Sequence, residues 1–366
     1  MKNLLGWRNY VKEIAPYIPG KSIEEVKAEF QLDEVIRLAS NESPMGTSPR
    51  VIEAITRAAM ECHLYPDASA THLREELAAL YGLRREEVMT GNGADNLISI
   101  LISAYVNEKD EVLYCTPTFP AYRSATLLMG GVPVEVPMSE DFTFDLESLK
   151  EHISGRTKLI FICNPNNPTG TIVDAAALEA FVREVPEHTM VVLDEAYIEY
   201  VQNENYLTGI DFYKKGYPVV TIRTFSKFYG LAGLRVGYAI AAEEILDPML
   251  RIREPFATNR IAIEAAIAAL RDEDYTKEHL AINDEGKKYL EQELTELGYT
   301  VYTSYTNFLF VDLKEDVKTL FDALLTKGII IRPCGAWGYP NFARISIGTM
   351  EQNQRLIDAL KEWKDQ

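Results

Sequence analysis

The chain has 366 residues, 47% of them apolar, with 37 Lys and Arg against 55 Asp and Glu and a formal charge of −18. Such a length exceeds what one compact core usually holds and predicts a larger and a smaller domain. An acidic surface repels phosphate backbones and anionic membranes, so neither nucleic acid nor a membrane is expected as a partner, and an anionic substrate would need a local cluster of Arg or Lys.

The amino terminus, MKNLLGWRNYVKEI, has no apolar run of signal-peptide length, and no stretch reaches the roughly 18 apolar residues of a membrane span. A cytoplasmic protein is the expectation. SPRVIEAITRAAM sets Ser48 to cap a helix and Pro49 in its first turn, and ATHLREELAALYG reads as a second helix ending at Gly82. TGNGADN (90–96) follows, with two glycines ahead of the helical run NLISILISAY. Short apolar runs then recur as predicted strands: EVLYC (111–115), VPVEV (132–136), TKLIFIC (157–163), TMVVLD (189–194), PVVTIR (218–223) and RVGYAIA (235–241). Between the first of them lie PAYRSATLLM, DLESLKEHI and DAAALEAFVREV, whose apolar positions are three and four apart. This alternation predicts an α/β fold with a mostly parallel central sheet covered on both faces.

After about residue 255 the texture changes. AIEAAIAALRDEDYTKEHLAINDEGKKYLEQELTELG reads as one long helical stretch. YTVYTS, NFLFVDL, IIIRP and FARISIG then read as strands, with VKTLFDALLTKG and NQRLIDALKEW as helices. The predicted organisation is a large α/β domain over 41–255 and a smaller α+β domain formed by 256–366 together with 1–40, which is too short to fold alone. The four cysteines are far apart; Cys115 and Cys163 lie in apolar strands and read as buried thiols. The five histidines show no metal spacing, and no metal is expected.

In open α/β sheets, ligands bind beyond the carboxyl ends of the strands. Polar loops occupy those places here: NPNNPTG (164–170), DEAY (194–197) and TFSK (224–227), with TGNGADN before a helix. Lys227 stands in an apolar and aromatic setting, and Arg235 follows it with Gly233 between. Taken one at a time, a turn, a capping carboxylate or a helix cap explains each loop. Together they describe one ligand. A lysine amine bonds an aldehyde most readily when its pKa is lowered, and a buried carboxylate keeps a pyridine nitrogen protonated so that the ring is an electron sink. Ser226, Arg235 and a helix start can hold a phosphate dianion. That ligand is pyridoxal 5′-phosphate. TGNGADN is not G-x-G-x-x-G, which disfavours a dinucleotide.

In NPNNPTG, DEAY and SKFYGLAGLR, in that order and spacing, the chain resembles the fold-type I, pyridoxal-phosphate-dependent aminotransferases of class I/II, over essentially its whole length. The resemblance implies that Lys227 is the Schiff-base lysine and proton shuttle, and that Asp194 pairs with the pyridine nitrogen. It implies that Asn167 and Tyr197 bond the phenolic oxygen, and that Phe119 stacks on the ring. Ala94 and Asp95 would give backbone N–H groups to the phosphate, beside Ser226 and Arg235. Tyr65, in HLYPD, would reach the phosphate of a neighbouring subunit, implying an obligate homodimer.

APYIPGKSIEEV, RLASNESPMG and IIIRPCGAWGYPNFARISIGT resemble, within that family, the histidinol-phosphate aminotransferases. These would move an amino group from L-histidinol phosphate to 2-oxoglutarate, giving imidazole acetol phosphate and glutamate in histidine biosynthesis. Arg344, Arg332 and Tyr17 would converge on the phosphate of one substrate and the carboxylate of the other. Met45, Phe256 and Trp337 depart from the pattern and would make the pocket more apolar, so transamination of phenylalanine or tyrosine is the alternative reading. Decarboxylation of a phosphorylated amino acid is a third.

Overall fold

The computed structural model describes residues 6–16 and 20–365; Tyr17 lies outside the described residues. Its largest layer is a seven-stranded sheet in the order Val88–Gly91, Gly237–Ile240, Val219–Thr224, Met190–Asp194, Thr157–Cys163, Glu111–Thr116, Val132–Pro137. All neighbours are parallel except Gly237–Ile240, which runs antiparallel to both of its partners. The inner strands are buried from end to end, as continuous apolar runs in a helix-covered parallel sheet must be. Val132–Pro137 is the partly exposed edge, and its two prolines fall where a missing N–H costs no ladder bond.

Two differences from the sequence expectation bear on the site. Val88–Gly91 forms an unforeseen strand: it offers only Val88 and Met89 before its glycine, and it is held by its antiparallel neighbour. The strand expected from Arg235 begins at Gly237 instead. Arg235 has φ 54°, a left-handed turn that ends the short helix Ala232–Leu234 and reverses the chain. A Cβ at Gly237 would lie 2.8 Å from the Arg223 carbonyl oxygen and 2.9 Å from the Ala94 nitrogen. Only glycine fits there.

The long helical stretch is two helices, Arg260–Leu270 and Glu273–Glu296. The break comes at Asp272, which caps the second helix and accepts a hydrogen bond from Ser48, itself the cap of Pro49–Ala59. Arg260–Leu270 packs on Pro49–Ala59, with small residues on the contact faces, Ala54 and Ala58 of one and Ala262, Ala265 and Ala269 of the other. Ala-lined faces let the backbones approach closely.

A second, four-stranded antiparallel sheet runs Arg332–Pro333, Phe342–Ser346, Phe308–Asp312, Thr300–Val301. The predicted strand IIIRP is therefore shared between two sheets, because Ile329–Ile330 pairs in parallel with Ile36–Arg37. Helix Ile23–Phe30, with a Ser22–Glu25 capping box, packs beside Val317–Thr326. Residues Asn9–Glu13 lie instead on helix Ala121–Leu128 of the seven-stranded layer. No helix among the described residues is long and apolar enough to cross a membrane.

Candidate active site

The carboxyl ends of the parallel strands and the amino end of Gly237–Ile240 open on one cavity of about 300 Å³, lined among others by Asp194, Lys227, Arg235, Phe119, Arg332 and Arg344. Asp194 is the last residue of its strand and is buried. Its Oδ2 accepts a 2.6 Å hydrogen bond from the Tyr122 hydroxyl, while Oδ1 is buried with no hydrogen-bond partner among the described residues. Burial pushes its pKa up to about 6, and the Tyr122 bond opposes that rise. Glu195, the next residue, serves the fold instead. It is a buried partner of Arg223 at 2.8 Å and accepts from the Gly209 N–H.

Lys227 follows strand Val219–Thr224 by three residues and donates to the Ser40 carbonyl at 3.1 Å. Desolvation, then the charges of Arg344 and Arg235, lower its pKa to about 8 against the pull of Asp95 and Glu42. Arg235 reaches the Ser226 hydroxyl at 3.2 Å and the Asp95 carboxylate at 3.3 Å. The Asp95 side chain thus pairs with the arginine, a contact the sequence did not suggest. Gly93, with φ 85°, precedes helix Ala94–Tyr105, and a Cβ there would meet the Arg235 guanidinium at 2.7 Å. The cradle at this helix start exists because Gly93 has no side chain.

At the other end, Tyr197 is buried and accepts from Asn41 Nδ2 at 3.0 Å, which leaves its own O–H to donate. Burial holds its pKa up at about 12, so it stays protonated. Asn41 sits at φ 55° and is fully engaged, with the Ser346 hydroxyl bonding both its side chain and its N–H. Asn167 Oδ1 accepts from Arg344 at 2.6 Å, so its amide nitrogen is the remaining donor. Arg344 also donates to the Ala39 carbonyl at 2.6 Å. Arg332 and Arg344 are direct cross-strand partners, so both project from one face toward the same cavity. Like charges directly opposite one another are unfavourable unless an anion joins them. The Trp337 ring lies 5.9 Å from each guanidinium, and its N–H donates 2.9 Å to the Thr118 carbonyl, beside Phe119. Trp337 is thus more than apolar bulk: it ties the arginine-bearing sheet to the loop of Phe119.

Residues 33–360 match the family Aminotransferase class I and II. The chain belongs to that family. It is 45% identical over 356 residues to histidinol-phosphate aminotransferase of Moorella thermoacetica, covering 97% of this chain and 92% of that one. It is 40% identical over 356 residues to the enzyme of the same name from Caldicellulosiruptor saccharolyticus, covering 97% and 99%. Among solved structures, histidinol-phosphate aminotransferase from Sinorhizobium meliloti in complex with pyridoxal-5'-phosphate superposes with a TM-score of 0.89 at 29% identity, over 99% of this chain and 98% of that one. The fold is that of the fold-type I aminotransferases, and the protein is a pyridoxal-phosphate-dependent transferase.

The cavity of this aminotransferase fits that cofactor on its own geometry. The orphaned Asp194 Oδ1 is the buried acceptor a pyridinium N–H needs. Ser226, Arg235 and the open helix start at Gly93–Ala94 form an anion cradle, and Lys227 lines the same cavity as both. The structure brings together Lys227, Asp194, Tyr197, Ala94, Asp95, Phe119, Asn167, Ser226, Arg235, Arg332 and Arg344 around this cavity. It does not bring Tyr65 there: Tyr65 is 78% exposed and stacks on Phe256 at 4.5 Å, away from its own chain's cavity. Sequence reasoning passed over Tyr122, in the first turn of helix Ala121–Leu128, whose ring meets that of Phe119 edge-on at 5.9 Å. It also passed over Asn41, which stands in the polar run SNES and carries no local signal. Among the described residues no group of three or more His, Cys, Asp or Glu is placed to hold a metal ion.

Proposed function

We propose that this aminotransferase moves the amino group of L-histidinol phosphate to 2-oxoglutarate, giving imidazole acetol phosphate and L-glutamate. The observation that carries this reading is the cross-strand pair Arg332 and Arg344, facing one cavity with Lys227. Two guanidiniums side by side take a phosphate in one half-reaction and a carboxylate in the other. The names of the relatives at 45% and 40% identity support the same substrate.

In this reading Asp194 holds the pyridine nitrogen, Asn167 and Tyr197 donate to the phenolic oxygen, and Phe119 covers the ring. Ser226, Arg235 and the backbone N–H groups of Ala94 and Asp95 hold the phosphate. When bound, the cofactor supplies the electron sink for the charge left by loss of the substrate's Cα proton. Lys227, neutral in part because it is desolvated, would take that proton at Nζ and hand it on from the same atom. Arg344, oriented by Asn167 and the Ala39 carbonyl, fixes the anionic end of the substrate. Tyr17 is assigned to the same anion. Tyr65, with Phe256 beside it, serves the cavity of a second copy in a homodimer, which accounts for two stacked aromatic rings on the surface. We assign 41–255 to the cofactor domain and 1–40 with 256–366 to the smaller one, although Asn9–Glu13 and Arg260–Leu270 of the latter pack on helices of the former, and we assign the protein to the cytoplasm.

The test is kcat/KM for L-histidinol phosphate, phenylalanine and tyrosine, each with 2-oxoglutarate. A preference for histidinol phosphate of at least about tenfold, the worth of one charge-assisted hydrogen bond, is expected. A preference for phenylalanine or tyrosine replaces it with the aromatic reading, and carbon dioxide release without an oxo acid replaces it with decarboxylation.

A further inference from the structure

We propose that His279 is a positioning residue for Lys227, holding the loop of the reactive lysine through the carbonyl of the very next residue. The proposal rests on Lys227 being the residue that binds the cofactor and moves the proton.

His279 lies on helix Glu273–Glu296 and is fully buried. Its Nδ1 is 2.7 Å from the Phe228 carbonyl oxygen, and its ring stacks on the Phe228 ring at 5.0 Å with an interplanar angle of 5°. A carbonyl can only accept, so Nδ1 carries the hydrogen. Nε2 is then an acceptor, and the Tyr200 hydroxyl stands 3.3 Å from it. Tyr200 and Tyr275 pack edge-on against the same ring. The imidazole is thereby fixed in tautomer and in plane. Burial also pushes its pKa down to about 4, so it stays neutral.

The loop needs such a tie. It leaves the sheet at Thr224 and turns at Gly230, where φ is 67°. Its Phe228 carbonyl points into the interior, where an unpaired acceptor is costly. The same helix supplies a second tie through Tyr275, whose hydroxyl donates to the Gly46 carbonyl, and the Thr47 hydroxyl donates to the Gly230 carbonyl. Loop, amino-terminal segment and helix start are thus joined within one turn of Lys227. A displacement of about one ångström in a group that must reach a reacting atom costs on the order of a hundredfold in rate.

The test uses the holoenzyme with three variants. H279F keeps a flat ring against Phe228 but has no donor; kcat is expected to fall roughly tenfold for loss of a buried hydrogen bond, with KM for the amino donor within about twofold. H279N carries an amide N–H near the place of Nδ1 and is expected to recover kcat to within about threefold of the unaltered enzyme. The pH midpoint of the bound cofactor's visible absorbance should move in H279F and return in H279N. Should H279F not accumulate, H279Q replaces it; its N–H sits one bond further out, and the same loss is expected. Equal kcat in H279F and the unaltered enzyme, or equal losses in H279F and H279N with an unmoved midpoint, would overturn the proposal. A failure of the Lys227 reading looks different: Lys227→Ala protein would then still hold the cofactor covalently.

Discussion

At the floor of the cavity, Asp194, Ser226 and Lys227 stand at or within three residues of strand ends in one seven-stranded sheet. At its other end, Arg332 and Arg344 come from short strands of a second sheet and reach across to it. The floor is rigid but chemically incomplete: Asp194 Oδ1 is buried without a partner and Lys227 is held below the usual amine range. The arginine end is already tied to the floor, through Asn167 Oδ1 and the Trp337–Thr118 bond. The floor's groups are set for one permanent ligand. The arginine end is set for groups that come and go, because its orientation is fixed by protein contacts whether or not a substrate is present. Buried acceptors without partners are rare enough that one at a strand end points to a ligand.

The largest effect that would separate the two ends is at Lys227. In Lys227→Ala the amino-transfer rate should fall by about 10³-fold or more, since loss of a general base alone costs about 10²–10⁴-fold. After treatment with borohydride and denaturation in acid, the variant should release its cofactor, as read by absorbance of the filtrate, whereas the unaltered enzyme should retain it as a stable secondary amine. Retention of a covalent cofactor in this variant would remove Lys227 from the floor.

Arg344→Lys should act on substrate at the other end and leave the cofactor bound. A lysine keeps the charge but not the planar fork, so the bonds to Asn167 and Ala39 and to a substrate anion cannot all be made. A loss of roughly 10²-fold in kcat/KM is expected for both the amine and the oxo acid, carried mainly by KM. Cofactor content, measured spectroscopically, should stay unchanged. Cofactor loss in parallel with activity would mean that the two ends are one unit and that the contrast drawn above fails.

The same contrast governs what the sequence disclosed. Residues at strand ends were legible, because an apolar run that stops at Asp194 or at Thr224 announces where the cavity begins. The sheet's parallel strands were legible for the same reason. The short strand Val88–Gly91 was not, since two apolar residues carry no period, and its antiparallel neighbour decides its fate. Arg332 and Arg344 were assigned by resemblance to one anion, but their cross-strand register was not readable, because the run IIIRP is divided between two sheets. Tyr122, Asn41 and His279 act through one hydrogen bond each to a site residue or its neighbour, and nothing in local pattern marks such a contact across separations of 72, 156 and 51 positions. The break at Asp272 was hidden by two good helix-forming stretches joined through a residue that caps from a distance with Ser48.

The smallest effect concerns how the floor prepares its amine. Only the neutral form of Lys227 attacks an aldehyde, and desolvation in the cavity lowers its pKa to about 8. Raising the pH removes the proton, so the rate at which cofactor-free protein captures pyridoxal phosphate should rise with pH. It should rise by up to about tenfold per unit below the pKa and level off above about pH 8, whereas an ordinary exposed lysine would keep gaining until about pH 10. Asp194, raised to about 6 by burial, is already ionised above pH 7, so a stopped-flow series over pH 7–10 isolates the amine. A rate still climbing steeply at pH 10 would show that the cavity does not desolvate Lys227. A plateau that moves upward in Arg344→Lys, with the variant's folded state intact, would show the arginine end acting on the floor through its charge: after desolvation, Arg344 is the foremost cause lowering the Lys227 pKa.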